Sequence, residues 1–161
     1  MSDLYTRFVS NVVFPLQERL KKHDTVAVRD QMEVSQWWPQ ERIIAQQAER
    51  LRGFLTDIGT SVPYYRELFA RIGFDPCEVR AAADLQALPF LTKSVIKQNS
   101  EALRATDARG LARFNTGGSS GEPLIFFIGT ERVTHDVAAK GRAARWWDVD
   151  IGDPEIVVWG S

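Results

Sequence analysis

Cysteine and histidine are scarce, with one Cys and two His among 161 residues. Cys77 has no partner for an intrachain disulfide, and no cluster of Cys and His offers a structural zinc site. Charge of one sign is equally scarce. Twenty Lys and Arg stand against 21 Asp and Glu, a formal net charge of -1, which leaves no broad positive field for a nucleic acid or an anionic membrane. Long apolar runs are missing too: stretches such as Ile156–Trp159 fall far short of the roughly 20 residues that span a bilayer. Met1–Thr6 carries Asp3 and no basic leader. A soluble, cytoplasmic chain in a reducing compartment, with no nucleic-acid or membrane partner, is the expectation. With 44% hydrophobic and 25% charged residues, the chain is globular rather than disordered.

Apolar residues at Leu4, Phe8, Val12, Leu16 and Leu20 fall on one face of a helix entered at Ser2, with Pro15 kinking or splitting it. Lys21–Arg29 reads as a polar connector. A second helix carries Ile44, Ala48, Leu51, Leu55 and Ile58 on its seam, with Gly59 as its stop. A third enters at Ser61-Val62-Pro63, turns Tyr64, Leu68 and Ile72 inward, and ends at Gly73. Asp84–Leu88 fits one more helical turn. Leu88–Leu91 is extended because a residue before proline avoids the helical region, and Thr92 caps a helix to about Asn99.

After Gly110 the texture changes. Leu111–Asn115 and Leu124–Ile128 are short apolar runs around a stretch of small residues, which predicts strand, loop, strand. Thr130 caps a helix to about Trp147, Asp148–Pro154 turns, and Glu155–Trp159 has the continuous apolar character of a buried strand. The fold class is therefore α+β within this chain: a mainly helical region 1–110, then the start of an α/β subdomain at 111–161. A buried final strand needs neighbours. That points to the front of a larger protein, with a small self-contained α+β domain as the alternative.

The densest run of small and hydroxyl residues is Thr116-Gly117-Gly118-Ser119-Ser120-Gly121-Glu122-Pro123. Glycines let a backbone approach a ligand closely, and N–H groups with three hydroxyls suit phosphate oxygens. The run lacks the Gly-Lys-Ser/Thr of the common nucleotide-hydrolase loop, since Gly121 leads into Glu122-Pro123 and a strand. A plain hairpin loop is the competing reading, although hairpins are usually closed by two to five residues.

Asn115–Pro123 resembles the glycine-rich phosphate motif of adenylate-forming enzymes. Leu88-Pro89-Phe90-Leu91-Thr92-Lys93 and Val62-Pro63-Tyr64-Tyr65-Arg66 are similar to the approach segments of their phenylacetate-CoA ligase branch. Phe114-Asn115-Thr116, Trp146-Trp147 and Val158–Ser161 are most similar to its CapK-like members, associated with capsular polysaccharide synthesis. The resemblance covers roughly residues 35–161. It implies a ligase of the large adenylate-forming class that uses ATP with Mg²⁺ to make an acyl-adenylate, releases pyrophosphate, and passes the acyl group to coenzyme A or another nucleophile. Thr116, Ser119 and Ser120, with the backbone of Gly117, Gly118 and Gly121, would hold the β- and γ-phosphates. Leu124 stands where many members place Lys, so one phosphate-facing cation is missing.

The family's later motifs would lie beyond Ser161, so no catalytic residue or metal ligand is assigned and the polypeptide alone is expected to be inactive. The rival readings are a non-catalytic binding module, a decayed gene product, or one half of a split enzyme whose second chain, or a second copy, pairs with the final strand.

The remaining candidates read as structural. His135 on a helix flank and His23 in a solvated connector carry no assigned chemistry, and Cys77 reads as an inert thiol. Lys93 and Lys97, one turn apart, mark a basic face. Trp37-Trp38 and Trp146-Trp147 read as packing and docking anchors, left partly exposed if the rest of the protein is absent.

Overall fold

A computed structural model describes residues 4–116, 123–156 and 158. The architecture is α+β, with seven α-helices and one two-stranded antiparallel sheet among the described residues. The chain forms two compact units, Met1–Trp37 with Thr130–Ser161, and Trp38–Gly129. No described helix is long and apolar enough to cross a membrane.

The first unit begins with α1 (Leu4–Phe8), a π-helical turn (Val9–Val13) and α2 (Phe14–Leu20). The break predicted at Pro15 begins one turn earlier. Proline brings no N–H to the carbonyl of Asn11, and the ladder widens so that the Phe14 N–H donates to the Val9 carbonyl. The apolar stripe is not buried: Leu4 is 82% exposed, Leu20 77%, and Phe8, Val12 and Leu16 are exposed between them. The helix packs instead through Thr6, Ser10 and Glu18.

Lys21–Arg29 is not a connector beyond Asp24, because α3 (Thr25–Ser35) starts at once. Its buried residues, Thr25 and Arg29, are polar, so hydropathy gives no periodic signal. It packs on α7 (Thr130–Arg145), which buries a stripe of small residues, Thr134, Ala138 and Gly141. A Cβ on Gly141 would lie 3.7 Å from Arg29 Cδ, so the small stripe makes room for a large side chain. Arg145 ties the helices, donating from Nη1 to Glu33 Oε1 at 2.6 Å and from Nη2 to Asp150 Oδ2 at 2.9 Å. Its pKa is raised: burial alone would lower it, and the bonds to Asp150 and Glu33 outweigh that.

His23 is not solvated either. Its Nδ1 lies 3.1 Å from Glu18 Oε2, Thr25 Oγ1 donates to the same oxygen at 2.5 Å, and Lys21 Nζ donates to Glu18 Oε1 at 3.3 Å. Burial would raise the Glu18 pKa, but these three bonds hold it below its ordinary 4.5. A carboxyl with a depressed folded pKa contributes stability above its unfolded pKa and loses it as pH falls through the folded value. Unfolding free energy followed by denaturant is thus expected to decline as pH drops below about 4.5, and Glu18→Gln to flatten that decline. An equally steep acid limb in the variant would show that Glu18 does not contribute.

Past α7, Asp148 takes a positive φ of 57° and Gly152 one of 102°, which makes the predicted turn. The strand predicted at Glu155–Trp159 is not found where it can be followed. Glu155, Ile156 and Val158 are in no strand, and Ile156 is 92% exposed. Without a neighbouring strand to bond, apolar β-branched residues have nothing to hold them extended. Val157 and Trp159 lie outside the described residues.

In the second unit, α4 (Gln40–Ser61) runs straight through the stop predicted at Gly59. Glycine serves close approach here, since a Cβ on Gly59 would lie 3.0 Å from Phe69 Cδ2. The seam predicted on α4 is buried only toward its C-terminal end, at Leu55 and Ile58, while Ile44 stays exposed. α5 (Pro63–Ile72) has Pro63 in its first turn and Gly73 in the left-handed region at its end, φ 67°, as expected. Leu68 and Phe69 face the core; Ile72, expected inside, is exposed. Leu55, Ile58, Val62, Leu68, Phe69 and Val79 make up the core, with Tyr65 and Phe74 rings against Phe69. Two 3₁₀ segments, Pro76–Glu78 and Ala82–Ala87, lead to the extended Leu88. The Thr92 hydroxyl then caps α6 (Lys93–Gln98) by accepting from the Val95 N–H.

Candidate functional site

β1 (Ala112–Asn115) and β2 (Ile125–Ile128) form the strand pair predicted around the glycine run, with Ala112 opposite Ile128 and Asn115 opposite Ile125. Successive side chains alternate across a sheet. Arg113 and Phe127 therefore share one face, while Phe114 stacks on Phe126 on the other, ring centroids 6.2 Å apart.

The strands do not simply stop at the loop. Thr116 extends the ladder, donating its N–H to the Leu124 carbonyl at 3.0 Å, while its Oγ1 accepts from the Leu124 N–H at 3.0 Å. A β-branched hydroxyl residue suits this position because it continues the strand and also supplies a side-chain acceptor. The same hydroxyl also carries an O–H donor, a group suited to a ligand oxygen. Gly117, Gly118, Ser119, Ser120 and Gly121 lie outside the described residues, so of the six expected phosphate ligands Thr116 alone is placed.

At the loop's second foot, Pro123 and Leu124 line a cavity of about 780 Å³. Its far wall is the segment that follows α6. That segment is held against the α4–α5 corner, where Tyr64 N–H donates to the Ala102 carbonyl at 2.9 Å and Thr106 donates to the Ser61 carbonyl from both its N–H, 2.9 Å, and its Oγ1, 3.1 Å. The lining is mostly aliphatic and aromatic, including Val62, Ile96, Leu103 and Phe127. Three cations interrupt it: Lys97, Arg104 and Arg113. Arg104 lies over the Phe127 ring, its Cζ 4.4 Å from the centroid, with Nη1 donating to Glu101 Oε2 at 3.2 Å. An apolar cleft with a few convergent charged groups is the ordinary form of a small-molecule site.

Arg104 and Arg113 were not singled out in the sequence, because 23 positions separate Arg104 from the Phe127 ring that it covers. Lys97 belongs to the predicted basic face and lines the cavity; Lys93 is exposed and does not. Cys77 is exposed, and no described group of three His, Cys, Asp or Glu could hold a metal ion. His135 lies on α7, half-buried. Trp37, Trp146 and Trp147 are largely exposed, Trp146 donating its indole N–H to Gln36 Oε1 at 2.8 Å, while Trp38 is half-buried under the Arg42 guanidinium.

Over 110 residues, 66% of this chain and 25% of the relative, the sequence is 30% identical to a phenylacetate-coenzyme A ligase of Thermus thermophilus. The chain is similar to phenylacetate-coenzyme A ligases. A second such ligase, from Aromatoleum evansii, is 30% identical over 123 residues, 75% of this chain and 28% of the relative. The chain thus spans about a quarter of the length of the ligases it matches. No protein-family model matches it.

Proposed function

We propose that the chain is the phosphate-loop segment of an ATP-dependent carboxylic acid–thiol ligase of the phenylacetate-CoA ligase type, in its CapK-like branch and linked to capsular polysaccharide synthesis. The observation that carries this reading is the strand pair laced by Thr116 and Leu124, with a cation-bearing cavity at the loop's foot. The similarity to two phenylacetate-coenzyme A ligases supports it.

In the complete enzyme the acid's carboxylate oxygen attacks the α-phosphorus of ATP, forming an acyl-adenylate and releasing pyrophosphate. The sulfur of coenzyme A then takes the acyl group and AMP leaves. The residues here have a binding and orienting part in that sequence. Thr116 and the glycine-serine run would hold the β- and γ-phosphates as the leaving group departs, which positions the reaction and stabilises charge. The described residues suit a nucleotide's phosphates, with a hydroxyl donor beside a cationic cavity. Among the described residues no group of three His, Cys, Asp or Glu could hold a metal ion, so Mg²⁺ would arrive with the nucleotide. The setting this implies is the cytoplasm, where ATP and coenzyme A are at hand.

Gly118→Leu is the decisive variant. In the clasp reading a side chain at 118 blocks the approach of phosphate to the backbone, so ATP binding by calorimetry is expected to weaken at least tenfold while the circular dichroism and melting temperature hold. Undiminished binding would leave the loop a mere turn. The chain alone is further expected to show no acid-dependent exchange of pyrophosphate into ATP, because the acyl pocket and the adenine-stacking residue belong to the remainder of the enzyme.

A further inference from the structure

Across α1, the π-helical turn and α2, side chains four positions apart line up in rows. One row, Leu4, Phe8, Val12, Leu16 and Leu20, is exposed along its whole length, and Tyr5 and Val13 beside it are exposed as well. The row two positions on is the reverse, with Thr6, Ser10 and Glu18 buried in the first unit. Thr6 is bonded to Asp153, and Glu18 to Thr25 and His23, so these bonds fix which face of the helix looks inward. The apolar row is held out in solvent by the same contacts that anchor the helix. It cannot turn inward without breaking them.

Size and make-up decide what can cover it. The seven side chains leave on the order of 800 Å² of mostly apolar surface in water, more than the largest apolar patch of an ordinary monomer and close to the share that one partner gives to a standard interface. Side chains four apart also form the ridges that interlock when two helices pack. No charge of either sign interrupts the row: Arg7 and Arg19 lie one position behind it, and Glu18, the acidic residue of α2, is on the buried side. A twofold interface sets a patch against itself, and an uncharged apolar ridge meets its own copy without opposing like charges along its length. A lipid surface fits less well, because a chain of net charge -1 offers an anionic bilayer no positive field. The row also lies ahead of the stretch, roughly residues 35–161, that resembles the ligases, so the ligase reading makes no use of it.

We propose that the exposed face of α1–α2 is a self-association surface, and that its occupant is the same face of a second copy of this chain. It is separate from the final segment at Glu155–Trp159, and it does not rest on the reading of the glycine run as a phosphate clasp.

The test is sedimentation equilibrium of the whole chain over roughly 1 to 100 µM, for the native sequence, Leu16→Asp and Ile156→Asp. The native chain is expected to reach twice its 18.2 kDa, with a melting temperature that rises with concentration. Leu16→Asp places a carboxylate in the row of both copies and should weaken association at least about a hundredfold. Because Leu16 is exposed in the single chain, the circular dichroism of the variant should match the native spectrum. Ile156 is exposed too but lies off the row, so Ile156→Asp should leave the pair intact. A native chain that stays monomeric throughout overturns the proposal, and so does a dimer that Leu16→Asp leaves whole. A native monomer that floats with vesicles of phosphatidylcholine and phosphatidylserine, and loses this in Leu16→Asp, would give the row to lipid instead. A dimer split by Ile156→Asp and not by Leu16→Asp would move self-association to the final segment.

Discussion

Phe69→Ala is expected to cost about 3–5 kcal/mol, the largest single loss in the molecule. Phe69 is 5% exposed and sits between the rings of Tyr65 and Phe74, with centroids 5.7 and 5.0 Å away. Truncation removes the transfer free energy of a benzyl group and leaves a hole that neighbouring rings fill poorly. For a chain of this size the melting temperature would fall by roughly 6–20 °C, readable by calorimetry. Gly59 sharpens the test. A Cβ there would lie 3.0 and 3.2 Å from Phe69 Cδ2 and Cε2, so Gly59→Ala should destabilise the native chain by about 1–3 kcal/mol. In the Phe69→Ala background the obstacle is gone and alanine's helix preference, about 1 kcal/mol over glycine, should show instead. The same substitution then changes sign. A Gly59→Ala effect of one sign in both backgrounds would mean that α4 and α5 do not meet there.

Gly152→Ala is the second large effect. Gly152 has φ 102°, where an L side chain is strained, and its Cβ would fall 2.9 Å from Val9 Cβ and 3.3 Å from the Thr6 backbone. Backbone strain and overpacking together give an expected loss of about 3 kcal/mol. The damage should centre on the contact between this turn and α1, where Thr6 Oγ1 donates to Asp153 Oδ1 at 2.7 Å. Faster amide exchange over residues 6–10 would report it. Gly110 is the control. Its φ of 63° is equally positive, but nothing lies within 4 Å of its Cβ position, so Gly110→Ala should cost only about 1 kcal/mol. Equal losses at the two glycines would remove the packing argument at 152.

What the sequence disclosed depended on whether the physics was local. Pro63 and Gly73 bracket α5, and Thr92 caps α6, because proline, left-handed glycine and a capping hydroxyl act within a turn of themselves. The strand pair around the glycine run was legible for the same reason. The first unit defeated the reading because its helices pack through polar residues. α3 buries Thr25 and Arg29, and α1–α2 buries Thr6, Ser10 and Glu18 while its leucines face out. Apolar periodicity pointed to the wrong face in one helix and missed the other. Gly59 misled differently, since a stop and a close approach both call for glycine, and the ring of Phe69 is not visible from position 59. In the candidate site, the strand pair that flanks the glycine run was readable but the charges around the cavity were not. The guanidiniums of Arg104 and Arg113 line one cavity only because the sheet register and the anchoring of residues 102 and 106 bring their segments together.

The π-helical turn at Val9–Val13 reconciles two distant attachments. Thr6 must reach Asp153, and Glu18 must reach Thr25 and His23. They are twelve positions apart, and at about 100° per residue an unbroken α-helix would leave them roughly 120° out of phase. One of the two would then face water. The wider turn takes back rotation between them, so both polar anchors are buried in the same unit. The missing N–H of Pro15, a defect in hydrogen bonding, thus acts as a phase corrector that lets one short helix dock at both of its ends.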